Sequence, residues 1–175
     1  KPILPPDFRV YTGYRQISQK LLAILQGANA HGLPHGAGPP HRRVGLVQEL
    51  ALLRESCTWG NLAHTLLQRY TRPGVTETEV ERRASNEATS AMLDAIGPRY
   101  RAQSPWYDGA IASYRGQIGR NAAIPHAHGN NIVFEAGDVL VTGASAPVWG
   151  YHSELERTMV IGPASPAQRR FFDHM

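Results

Sequence analysis

The stretch Gly137-Asp-Val-Leu-Val-Thr-Gly-Ala-Ser-Ala-Pro-Val-Trp-Gly-Tyr-His-Ser-Glu-Leu-Glu-Arg-Thr158 decides how the rest of the chain is arranged. Gly137-Asp138 is a tight turn between β-prone runs, and Gly150-Tyr151 is a second bend after about a dozen residues. The segments around 139–148 and 151–161 are therefore expected to pair as a hairpin. Side chains alternate between faces along a strand, so residues two apart, such as His152 and Glu154, share a face. Ile111-Ala-Ser-Tyr114 and Asn131-Ile-Val-Phe134 are further β-type runs on the N-terminal side of the hairpin, and Met159-Val-Ile161 closes it.

Before residue 110 the apolar period changes from two to between three and four. Val44, Val47, Leu50, Leu53, Cys57, Leu62, Leu66 and Leu67 predict a helix over 43–70, bent near Gly60, which Thr71-Arg-Pro-Gly74 ends. Cys57 falls in the apolar stripe and is expected in the core. As the sole cysteine it excludes an internal disulfide and a cysteine-rich zinc site. Thr76-Glu-Thr-Glu79 fits a capping box that opens a second helix over 76–96. Ser165-Pro-Ala-Gln-Arg-Arg-Phe-Phe172 opens a third, with Pro at its first position. Two helices followed by paired strands give an α+β unit, with the helices on one side of a curved sheet.

Residues 27–40 hold glycines and prolines too dense for regular structure, so 27–42 reads as a linker, and His31 and His35 as loop residues. The composition, 42% hydrophobic and 18% charged, is that of an ordinary globular domain. No apolar run approaches the roughly 20 residues of a membrane helix. No basic segment followed by an apolar one opens the chain, which favours the cytoplasm. The net charge of +4 comes from scattered arginines, and His41-Arg-Arg43 lacks interleaved aromatics, which argues against a nucleic-acid partner. No Gly-x-Ser-x-Gly elbow or phosphate-cradling glycine loop is present.

Taken in order, Arg72-Pro-Gly-Val-Thr-Glu77, Arg120-Asn-Ala-Ala-Ile-Pro-His126, Glu135-Ala-Gly-Asp138, Gly150-Tyr-His-Ser-Glu154 and Glu156-Arg-Thr158 resemble the signposts of the pita-bread metallohydrolases of aminopeptidase P, prolidase and creatinase type. The resemblance covers 43–175, which then corresponds to the first half of the catalytic domain. Residues 1–26 resemble the end of that group's N-terminal domain. It implies the pita-bread fold, a peptide or small amide substrate of the Xaa-Pro kind, and two divalent metals, Mn, Zn or Co, that activate a water. His126 corresponds to the histidine that hydrogen-bonds substrate or intermediate, with His128 as its rival. Glu154 stands at an aspartate ligand position with His152 beside it, and Tyr151 and Arg157 are assigned to substrate binding.

The first aspartate position of the family aligns with Gly143, which has no ligand to offer, and the three later ligands have no counterpart before Met175. Three functions are thus in contention: an Xaa-Pro metallohydrolase, a catalytically silent binding module, and a metal-independent amide hydrolase like creatinase. Gly143→Asp in an intact-length chain is expected to restore metal if the later ligands exist. A homodimer is expected, because half of a pseudo-symmetric domain leaves apolar strand faces to be covered.

Overall fold

The computed structural model describes residues 41–174, with side chains from residue 49 onward. Helix α1 runs His41–Tyr70 and α2 runs Glu77–Ile96. The expected segments 1–26 and most of the linker lie outside the described residues; His41 and Arg42, expected in the linker, already belong to α1. The helix continues through Gly60, where glycine serves close approach. A Cβ there would lie 2.7 Å from Ser153 Oγ and 3.5 Å from the Ser145 backbone.

Cys57 corrects the expectation of a core cysteine, for it is exposed. The buried stripe of α1 passes instead through Ser56, Gly60, Ala63, His64 and Leu67, and one residue along a helix is a rotation of about 100°. Ser56 holds that place because its hydroxyl donates to the Ala146 carbonyl and accepts from the Ser153 N–H at 2.6 Å.

At the start of α2 the Thr76 hydroxyl accepts from the Glu79 N–H at 3.3 Å, and Gly97 ends the helix with φ +65. Val80, Ala84, Ala88 and Met92 recur every fourth residue and are all buried. Their mostly small side chains let α2 approach both α1 and the sheet closely.

Strands β1 (Ile111–Ser113), β2 (Val139–Ser145) and β5 (Leu155–Val160) form an antiparallel sheet in the order β1-β2-β5. β3 (Pro147–Val148) and β4 (Tyr151–His152) continue the hairpin around a bend at Trp149 and Gly150, both with positive φ. The register is unbroken from Ala144↔Leu155 to Pro147↔His152. The return strand expected over 151–161 is nevertheless interrupted at Ser153 and Glu154. There the Ser153 N–H goes to Ser56 and its carbonyl accepts from Ser145 Oγ at 2.6 Å, leaving both groups unavailable to the ladder.

Residues 131–134 are a second correction. They form a single bridge, Thr76↔Val133, in place of the expected strand. Their hydrogen bonds run to the α1–α2 connection: Gly74 N–H to Phe134 O at 2.9 Å, Phe134 N–H to Val75 O at 3.0 Å and Glu77 N–H to Ile132 O at 2.8 Å.

α3 (Pro166–His174) closes the described chain. Leu67, Val80 and Met92 from the helices meet Tyr114, Leu140 and Met159 from the sheet side in one buried cluster. Each such side chain contributes roughly 1.5–3 kcal/mol by leaving water. Among the described residues no helix is long and apolar enough to cross a membrane.

Candidate functional site

Paired residues in an antiparallel ladder share a face, so the register divides the hairpin into two. Leu140, Thr142 and Ala144, with partners Met159, Arg157 and Leu155, face the helices. Val141, Gly143 and Ser145 face the other way, together with Glu156 and, beyond the ladder break, Glu154. On this second face lies a cavity of about 360 Å³, whose walls include Tyr107, Arg115, Gly143, His152, Glu154 and Glu156.

One wall of the cavity is fixed by hydroxyls. Tyr107 OH donates to Ser145 Oγ at 2.9 Å, and it lies 3.3 Å from His152 Nδ1. The Tyr107 and His152 rings meet edge to face at 5.8 Å between centroids. His152 and Glu154 are thus brought to one cavity, as their spacing along the strand implied. Glu154 is exposed and makes no hydrogen bond or ion pair among the described residues.

The cavity is also lined by an ion pair between Arg115 and Glu156, whose side chains are 29% and 39% exposed. Ser113 pairs with Gly143 in the ladder, and Arg115 follows two residues later on the same side with φ +53. Its guanidinium comes to rest against the glycine: a Cβ at Gly143 would lie 2.5 Å from Arg115 Nη2.

The other sequence candidates sit elsewhere. His126 (φ +51) and His128 are exposed on the loop after the 3₁₀ turn Gly119–Ala123, and neither lines the cavity. That loop is held by Glu77, whose buried carboxylate accepts from the N–H groups of Gly116 (2.8 Å), Asn130 (3.2 Å) and Ile132 (3.3 Å). Tyr151 donates its hydroxyl to Glu49 Oε1 on α1 at 3.0 Å. Arg157 lies on the helix side of the ladder, across from Thr142. Neither Tyr151 nor Arg157 lines the cavity.

Behind the site is a buried residue that apolar periodicity passed over. His64 Nε2 lies 2.8 Å from Thr142 Oγ1, and the Thr142 hydroxyl donates to the Arg157 carbonyl at 3.1 Å. The single hydroxyl proton being committed, Nε2 must be the donor to Thr142, which fixes the neutral tautomer. Burial, followed by the Arg157 charge, lowers the imidazole pKa to about 4. The available signal was position, since His64 falls four residues after Gly60 and three before Leu67 on the stripe that packs on the sheet.

The donor set does not fit a dinuclear metal centre. At Gly143, which the motif resemblance aligns with a ligand position, the space of a side chain is filled by a guanidinium, leaving Glu154 as the open carboxylate. Among the described residues no group of three or more His, Cys, Asp or Glu is placed to hold a metal ion; a catalytic divalent site normally takes three protein ligands.

Residues 51–175 match metallopeptidase family M24. The chain belongs to that family. It is 28% identical over 127 residues to the Xaa-Pro aminopeptidase of Escherichia coli K12, an overlap of 72% of this chain and 26% of that protein. Among solved structures it resembles the Xaa-Pro dipeptidase of Bacillus anthracis, at 27% identity and TM-score 0.53 over 72% of this chain and 32% of the other. It also resembles an E. coli aminopeptidase P variant in complex with substrate, at 26% and TM-score 0.53 over 72% and 26%. Prolidase from Pyrococcus furiosus superposes with TM-score 0.55 at 22% identity, over 72% and 33%, a likeness of fold. The M24 chain therefore has the pita-bread fold expected from its motifs, covering part of the catalytic domain. It spans about a quarter to a third of the length of these relatives.

Proposed function

We propose that the protein is a hydrolase of the Xaa-Pro aminopeptidase or dipeptidase type, acting on short peptides or a related small amide. The observation that supports this most directly is the cavity of about 360 Å³ beside His152 and Glu154, in a chain whose family is one of peptidases. Small-ligand pockets of a few hundred cubic ångströms are of the size that admits a dipeptide. In this reading Glu154 and His152 contact the ligand. His126, with His128 as the alternative, is carried outside the cavity on the loop tethered by Glu77, and supplies a donor to the developing oxyanion only when that loop moves over the ligand. Tyr151 and Arg157 act through the frame of the hairpin.

The test is turnover of Xaa-Pro dipeptides and tripeptides by the full-length protein, with Mn, Zn or Co and with chelator. Proline-directed cleavage that Glu154→Gln lowers by at least about tenfold is expected. His126→Ala should cost about 10²–10³ in kcat if that residue is an oxyanion donor. Absence of cleavage under every condition would sink the hydrolase reading. A second reading, in which the fold binds peptides without metal chemistry, is favoured by the guanidinium seated on Gly143. The proposed homodimer and cytoplasmic site of action are open to light scattering and cell fractionation.

A further inference from the structure

The positive charge in the cavity comes from a residue with no place in the motif pattern. Arg115 leaves the end of β1, turns through a positive φ and lays its guanidinium on the one ladder position without a side chain. Glu156, the ladder partner of Gly143, holds it there. A guanidinium has five N–H donors and keeps its charge at any pH a protein survives. The Glu156 carboxylate engages Nη2, which leaves further N–H donors on a residue that lines the same cavity as Tyr107 and His152.

We propose that Arg115 is the cation of this site in place of a metal ion, and that the cavity binds the amide oxygen of a short peptide on the guanidinium. A neutral oxygen acceptor suits the site better than an anion, because Glu154 and Glu156 already put two carboxylates on the same face. Gly143 is part of the device. Any side chain there would meet Nη2 and push the guanidinium off the strand. An aspartate introduced at 143 would pair with Arg115 and be neutralised, which revises the expectation that Gly143→Asp alone restores a metal ligand. The proposal rests on the peptide ligand of the functional reading, but binding and turnover are separate measurements.

The experiment uses the full-length protein, stripped with chelator, and glycyl-prolinamide, which has no carboxylate, as the probe in calorimetry. Binding without metal is expected, and Arg115→Gln should weaken it by at least about tenfold, the usual cost of removing a hydrogen bond to a charged group. Arg115→Lys should recover part of the loss, since it keeps the charge without the planar fork, and it serves as the second variant should Arg115→Gln fail to fold. Gly143→Asp should gain no Mn²⁺ binding over the parent.

Peptide binding that requires Mn²⁺, survives Arg115→Gln undiminished, or is absent from the stripped protein would overturn the proposal, as would tight Mn²⁺ uptake by Gly143→Asp alone. Arg115-dependent binding without any turnover would keep this inference and remove the hydrolase reading. Mn²⁺-dependent turnover with no Arg115 effect would do the reverse.

Discussion

On the helix side of the β2/β5 ladder, Leu140, Thr142 and Met159 are fully buried, and every polar group among them has a named partner. Across the same backbone, on the cavity side, Glu154 is exposed, Glu156 is 39% exposed, and Gly143 offers no side chain at all. The two faces share strands and register, yet packing constrains the helix side far more than the cavity side. A substitution on the helix side must preserve volume and hydrogen bonds at once. On the cavity side a guanidinium occupies the space that a side chain at Gly143 would take, while the hairpin keeps its geometry.

The largest expected effect tests that asymmetry directly. Leu140→Ala removes a side chain with no exposed surface and should cost about 3–4 kcal/mol in urea unfolding, the transfer loss plus a cavity term. Its neighbour Val141, half-buried on the other face, should cost about 1 kcal/mol when cut to Ala. Equal losses at 140 and 141 would break the comparison.

Next in size is a pH effect confined to the helix side. The folded pKa of His64, about 4, lies below its ordinary 6.5, so as pH falls the unfolded chain takes up the proton first. The contribution is complete above pH 6.5 and is lost as pH drops toward 4, amounting to about 3 kcal/mol across the window. Comparing the parent with His64→Gln between pH 7 and 4.5 isolates it from the carboxylates. The variant should lose less stability on acidification, and parallel curves would remove His64 from the account.

What could be read from sequence follows the same division. Helices α1 and α2, the β2/β5 hairpin and the capping Thr76 were legible, because local periodicity and turn residues determine them. That position 143 offers no ligand side chain was legible as well. Arg115 was not. Its approach depends on the register of β1 against β2, a pairing across some thirty residues that no local pattern encodes. Glu77 looks like an ordinary first-turn acid, but its carboxylate is spent on three backbone N–H groups of the histidine loop. Cys57 was misjudged because a hydrophobicity count ranks sulfur above hydroxyl, whereas burial here went to Ser56, the residue with hydrogen bonds to make.

The smallest expected effect is the sharpest test of how the cavity side is built. Glycine in a strand interior costs about 0.5–1 kcal/mol relative to alanine, and no positive φ forbids a side chain at Gly143. Gly143→Ala should therefore stabilise by that amount if nothing stood in the way. In the parent the new Cβ meets Arg115 Nη2 at 2.5 Å and displaces a guanidinium whose ion pair, partly exposed, contributes about 0–1 kcal/mol. The two terms oppose each other, so the single variant should differ little from the parent. With Arg115→Ala as background the obstruction is gone, and the same substitution should stabilise by most of its backbone term. A double-mutant cycle should then show a coupling of about 0.5–1 kcal/mol between positions 115 and 143, above the few tenths expected of independent sites. Additive effects would mean that the guanidinium does not rest on the glycine, and with that the main chemical difference between the two faces would vanish.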